Sequence, residues 1–179
     1  MSVIAWVLIA VGIVVVLLIL YLAFRQRRTS KLKRDFGPEY ERTVTEEGRR
    51  PGEAELRGRV ERRQRLDIRP LSADARTRYA ESWRLMQERF VDHPVQSVRD
   101  ADQLVQQVMR DRGYPTDDFE QRAADISVDH PQFVEDYRAA HGAAASAERG
   151  DATTEDLREA MLRYRRLFDA LLEEESRTS

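Results

Sequence analysis

Residues 3–24 read VIAWVLIAVGIVVVLLILYLAF, an apolar run of 22 residues without a charge. As a helix rising 1.5 Å per residue it is about 33 Å long, enough for the roughly 30 Å hydrocarbon core of a bilayer. Backbone groups inside lipid must bond one another, so a single span must be helical. Trp6 and Tyr21 lie near the two ends of the run, where amphipathic rings settle at the membrane interface. Arg25, Arg27, Arg28, Lys31, Lys33 and Arg34 follow at once, whereas Met1 and Ser2 carry no side-chain charge. The positive-inside rule then sets the N-terminus outside and the remainder in the cytoplasm. The expectation is a transmembrane anchor over residues 1–24 in an inner membrane. Those six cations would face the anionic inner leaflet.

A cleaved signal peptide would start with basic residues, carry an apolar core of about 7–15 residues and leave through small residues. Here the start has no cation, the core is longer, and the best exit, Tyr21-Leu22-Ala23, is bulky where a small residue is wanted. Gly12 is the only glycine in the run and no GxxxG pair exists, so no helix dimer is argued.

Charge divides the rest of the chain. Residues 25–66 carry 14 Lys and Arg against 8 Asp and Glu, and residues 67–179 carry 16 against 24. The basic part adjoins the apolar run, where each cation near an anionic leaflet contributes about 1 kcal/mol. The acidic part would be repelled from it. Cysteine is absent, which excludes disulfides and thiolate metal sites.

Residues 25–71 read as a basic juxtamembrane stem. The first helix should run past Arg28 and stop at Gly37-Pro38, since a residue before proline avoids helical geometry. Residues 39–47 suit a short helix, and residues 48–52, GRRPG, read as a break. Residues 53–66 favour a helix with only Leu56 and Val60 on one stripe and Leu66 off it. A helix so polar should be solvated or lie on a surface. Arg57, Arg59, Arg62, Arg63, Arg65 and Arg69 form a basic cluster, read first as a solvated face with Glu53, Glu55 and Glu61 as local partners and second as a segment lying on the lipid leaflet. No groove-reading motif accompanies them, so nucleic acid is not expected as a partner.

Residues 72–175 read as a small antiparallel bundle of five helices. Ser72 is an N-cap, and Tyr79, Trp83, Met86 and Phe90 fall on one helical face. Val98, Ala101, Val105 and Val108 form the stripe of the next helix, which Gly113 should end with a positive φ. Thr116 should cap a short helix over 117–125, and Pro131 should open another whose inner side is Phe133, Val134 and Tyr137. Residues 142–147, GAAASA, present either a thin surface that another helix can approach closely or a poorly packed helix end. Leu157, Met161, Tyr164, Phe168 and Leu171 line the closing helix. The fold class is therefore all-α: one transmembrane helix, a polar helical stem and a small antiparallel bundle.

Chemistry is sparse. His93 and His130 sit in a repeated Val-Asp-His-Pro, which suggests either a metal or acid–base pair or simply two helix starts, and the second reading is preferred. His141 stands three turns beyond His130, about 16 Å along one helix, so the two cannot share an ion there. No phosphate loop, nucleophile elbow, zinc or calcium motif occurs, and neither a cofactor nor catalysis is expected.

The residues FGPEYERTV (36–44), RGYP (112–115), DFEQRAAD (118–125), VDHP (128–131) and YRAAH (137–141) carry a resemblance. The chain resembles an uncharacterised group of bacterial single-pass membrane proteins with a small C-terminal helical domain. That group has no established function, so the resemblance implies an architecture and transfers no site residue. It does mark a block in which Asp117, Asp118, Glu120, Gln121, Arg122, Asp125, Asp129 and His130 form a candidate surface for a protein partner. The expected function is a membrane-anchored, non-enzymatic interaction or scaffold protein. The alternatives are an exported helical protein that binds a ligand or the envelope, and a metal-dependent enzyme using the Asp-His-Pro corners.

Overall fold

The computed structural model describes residues 3–115 and 118–173, with the backbone alone for residues 3–11, 14, 21, 22 and 25. Among the described residues there are eight α-helices, one 3-10 turn and no strand. They are α1 (Val3–Phe36), α2 (Pro38–Glu47), α3 (Arg49–Arg65), α4 (Ala73–Arg89), α5 (Pro94–Arg112), α6 (Phe119–Asp129), the 3-10 turn Pro131–Phe133, α7 (Val134–Arg149) and α8 (Thr154–Glu173).

Helix α1 is one element of 34 residues that begins in the apolar run and ends in the stem. Every described side chain from Gly12 to Phe24 is exposed, including Ile13, Leu17, Leu18, Ile19, Leu20 and Phe24. That described apolar stretch is about 20 Å long at 1.5 Å per residue. Among the described residues no helix is long and apolar enough to cross a membrane. The side chains of Trp6 and Tyr21, expected at the two interfaces, lie outside the described residues, as does that of Arg25.

Gly37 ends α1 at φ +50°, and Pro38 occupies the start of α2, where its missing N–H costs no helical hydrogen bond. The expected break over residues 48–52 is narrower. Gly48 alone turns the chain, at φ +86°, and α3 already begins at Arg49. Pro51 is tolerated because it falls in the first turn, whose N–H groups have no helical acceptor. Gly52 answers a different need. A Cβ there would stand 3.0 Å from the Thr43 carbonyl oxygen and 3.2 Å from Val44 Cα, so its bareness lets α3 cross α2 closely.

The stem is thus not a loose connector. The end of α1, α2 and α3 enclose a small core of Leu32, Phe36, Tyr40 and Leu56. Val44, Val60 and Val128 pack against it, and Val128 belongs to α6. Thr29 on α1 and Tyr40 on α2 both donate hydrogen bonds of 3.0 Å to Glu53 on α3. Those bonds draw the three helices together at the end nearest the apolar run. Of the two expectations for this helix, solvated or lying on a surface, the second holds, the surface being the end of α1 and α2.

The larger core lies among α4, α5, α7 and α8. α4 packs on α5 and α7 on α8, each pair joined by four residues, 90–93 and 150–153. Ser72 caps α4 by accepting from the Ala75 N–H at 3.2 Å. Trp83 and Met86 are buried, Tyr79 and Phe90 pack at the margin, and the Trp83 ring stacks on Phe168 at 4.7 Å. Val98, Ala101, Val105 and Val108 of α5 are wholly buried, as is the stripe of α8 from Leu157 to Leu171. Ala140, Ala144 and Ala147 on α7 are buried, so the small-residue segment does serve close helix packing. Thr153 starts α8 by exchanging hydrogen bonds with Asp156.

Gly113 closes α5 in the left-handed region at φ +99°. A Cβ at that position would lie 2.4 Å from the Asp67 carbonyl oxygen, and Arg69 N–H bonds the Arg112 carbonyl at 2.8 Å. Both the turn and the crossing of the link from the stem therefore require glycine. Three boundaries here differ from expectation. The short helix starts at Phe119 with Asp118 as its cap and runs on to Asp129 in place of residue 125, while Thr116 and Asp117 lie outside the described residues. Pro131 opens a 3-10 turn, and α7 begins only at Val134.

Candidate functional site

The densest polar assembly of the described residues joins the stem to the bundle. Glu39 enters at the first turn of α2, where acidic side chains suit the positive end of the helix dipole. It is 3% exposed, and its oxygens accept from Arg59 Nη1 at 2.6 Å and from Arg138 Nη1 and Nη2 at 2.7 and 3.0 Å. Arg59 belongs to α3 and Arg138 to α7, so one carboxylate clamps three helices. Arg59 is itself buried and donates further to Glu55 at 3.1 Å and to Ser127 Oγ at 3.3 Å. Burial pushes the Glu39 carboxyl up, but hydrogen bonds from Arg138 and Arg59 outweigh it and hold the group below the usual glutamate range.

The assembly extends along α3. Arg62 reaches Glu55 at 3.4 Å and approaches Asp125 at 3.7 Å. Arg63 Nε donates to Asp129, which also accepts from the Tyr114 hydroxyl. Burial, and then the charge and hydrogen bond of Asp129, push the Tyr114 hydroxyl far above its ordinary range. Two carboxylates of α6 one helical turn apart, Asp125 and Asp129, are thus met by the consecutive arginines Arg62 and Arg63 of α3.

These contacts redistribute the expected partner surface. Asp118 and Glu120 are exposed, Asp118 accepting from the Gln121 N–H at 2.8 Å as the cap of α6. Gln121 is half-buried and donates to Asp125 at 2.8 Å. Arg122 is buried and donates to the Tyr137 hydroxyl at 3.1 Å. Asp125 and His130 are buried, and Asp129 is half-buried in the junction. Asp117 lies outside the described residues. Of the candidate surface, Asp118 and Glu120 are thus exposed, Asp125 and Asp129 meet arginines of the stem, and Arg122 is bonded inside the bundle.

The stem cations are also sorted. Lys33 bonds Glu41 at 3.1 Å and stands over the Tyr40 ring, and Arg34 lies 3.7 Å from Asp35. Arg28 covers the Phe24 ring at 4.1 Å. Arg27 and Lys31 are exposed. Arg27, Arg28 and Lys31 are thus exposed, whereas Lys33 belongs to the α1–α2 contact.

The two Asp-His-Pro corners share one backbone geometry. His93 has φ −135° and ψ 63°, and His130 has φ −131° and ψ 53°. Each donates its N–H to a carbonyl of the preceding helix, Arg89 at 2.9 Å and Ile126 at 2.8 Å. Proline forbids the helical region to the residue before it, and this conformation ends one helix while aiming the next. The repeat is thereby explained as two copies of a corner. Their surroundings differ, since His93 is exposed and His130 buried. Among the described residues no three His, Cys, Asp or Glu side chains are grouped to hold a metal ion.

A second polar group lies inside the bundle. Asp102 on α5 accepts from the Tyr164 hydroxyl at 2.9 Å and from Gln106 at 2.6 Å, and stands 3.7 Å from His141 Nδ1. His141 stacks on Phe119 at 3.8 Å. Burial pushes Tyr137 up to about 12 and Tyr164 further. The Asp102 carboxyl, raised by burial, is brought below the usual range by His141 and Tyr164. Sequence reasoning missed Glu39, Arg59, Arg138 and Asp102. A signal existed for α3: Leu56, Arg59, Val60 and Arg63 follow the i, i+3, i+4, i+7 period of a buried face, with arginines in two of its places.

No family model, curated protein or solved structure matches the chain.

Proposed function

We propose that the chain is a single-pass protein of a bacterial inner membrane whose cytoplasmic helical part is a non-enzymatic interaction or scaffold module. The observation that carries this reading is the continuity of α1. Its described apolar side chains are exposed from Ile13 to Phe24, and the same helix then enters the stem core through Leu32 and Phe36 without a break. Side chains of that kind gain about 1.5–3 kcal/mol each on leaving water, so a row of them seeks lipid. The cations that follow favour the cytoplasmic side for the folded part.

The buried Glu39–Arg59–Arg138 clamp gives this anchor its use. It fixes the bundle to the stem, so the bundle is held at a set distance and orientation from the bilayer. Its contact surface for a protein partner would include Asp118 and Glu120 and the exposed corner around His93, where Val91 is 85% exposed.

Topology tests the proposal. The chain has no cysteine, so a single one placed by Ser2→Cys or Ser176→Cys is an unambiguous reporter. Intact cells are treated with a thiol reagent that cannot cross the inner membrane. Labelling at position 2 and protection at 176 is the expected result. Labelling at 176 would refute the orientation and favour an envelope role. A mature protein that begins near Arg25 would refute the anchor itself.

A further inference from the structure

We infer that the groove between α1 and α3 is a binding site for the phosphodiester headgroup of an anionic phospholipid, an inference that rests on the anchored reading above. The groove measures about 230 Å³ and is lined by Arg28, Lys31, Leu32 and Asp35 of α1 and by Arg57, Val60 and Glu61 of α3. Leu32 and Val60 belong to the stem core, so the floor is apolar and fixed. Arg28, Lys31 and Arg57 have no ion-pair partner among the described residues, a state they share with Arg27, Arg50 and Arg65, but they alone line one groove. Two carboxylates also line the groove. Asp35 lies 3.7 Å from Arg34, and with Glu61 it leaves three cations against two carboxylates in the lining.

Register decides the occupant. Arg28, Lys31, Leu32 and Asp35 recur at the helical period, and the same row continues backward through Phe24, Leu20 and Leu17. Those three are 55–60% exposed. One lipid therefore fits the whole row, with an acyl chain along Leu17, Leu20 and Phe24 and its phosphate among the three cations. Arg28 and Lys31 stand about 6 and 10 Å beyond Phe24 along the helix, at the depth of the polar headgroup layer. A free phosphate would use the cations but not the apolar row.

The full chain in detergent is titrated with phosphatidylglycerol, phosphatidylethanolamine or phosphatidylcholine, and retention of the first lipid is read by native mass spectrometry. Phosphatidylglycerol should bind at least about five-fold more tightly than the other two, the factor expected from a single cation at a lipid surface. Arg57→Gln should lower that affinity about five-fold. Arg65→Gln removes the same charge from α3 outside the groove and should leave it unchanged. Sodium phosphate at constant ionic strength should not displace the lipid. Equal losses in the two variants, no preference for phosphatidylglycerol, or displacement by phosphate would each overturn the site. Flotation with phosphatidylcholine vesicles reads the anchor independently. A chain that floats but shows no preference keeps its anchor and loses the groove, and a chain that does not float loses both.

Discussion

Replacing Glu39 by Gln keeps the shape of the side chain and removes the charge that holds α2, α3 and α7 together. Arg59 and Arg138 would then be left in the junction without the carboxylate that each contacts at 2.6–3.0 Å. Removing one partner from a buried ion pair costs about 3–5 kcal/mol, because the remaining charge stays desolvated. Arg59 keeps Glu55 at 3.1 Å and Ser127 at 3.3 Å, which places the loss at the lower end, about 3 kcal/mol. Domains are stable by about 5–15 kcal/mol, so the chain should still fold, with its stem released more often. Hydrogen exchange of the full chain in detergent reads this by region. Amides of α2 and α3 should exchange roughly a hundred-fold faster, since each factor of ten is about 1.4 kcal/mol. Amides of α5 and α8, buried by apolar contacts, should hardly change. Adding Arg138→Gln should cost less than the sum of the single effects by about 1 kcal/mol. Unchanged protection in α2 and α3, or an equal loss through α5 and α8, would refute the clamp.

Acid should undock the stem. Glu39, Glu53 and Glu55 are held below the ordinary glutamate value of 4.5, so the unfolded chain binds protons first as the pH falls. Their stabilisation is complete above about pH 4.5 and is lost as the pH drops through the folded values; the urea midpoint should fall in that window, less steeply in Glu39→Gln, and a flat midpoint would contradict the network. Gly113→Ala meets both a φ of +99° and the Asp67 carbonyl at 2.4 Å, so it should lower stability by about 2 kcal/mol or more. Gly150→Ala, at φ +80° with nothing within 4 Å, should cost about half that, and equal urea midpoints for the two would argue against the close crossing. Leu56→Ala empties a fully buried site in the stem core and should cost about 2–5 kcal/mol, read as lost exchange protection in α2 and α3; protection left intact there would show that this core is not closed.

Most helix positions were legible in local sequence signals, although the bounds of α3, α6 and α7 were not. Gly37-Pro38, Ser72, Gly113 and Gly150 mark ends through local backbone chemistry, and the stripes of α4, α5 and α8 mark inner faces through the helical period. All of those signals act within a few residues. Local partners within the stem were legible, and Arg59 does meet Glu55 and Arg49 does meet Glu53, but nothing local says which arginine meets a carboxylate far along the chain. Glu39 and Arg138 are 99 residues apart, and Arg63 and Asp129 are 66 apart. Those pairings arise only on folding, and with them the placement of Asp125 and Asp129 against the stem. The physical reason is desolvation: an arginine on an apolar stripe is tolerable only where a distant acid is brought to it, and only the folded chain brings it.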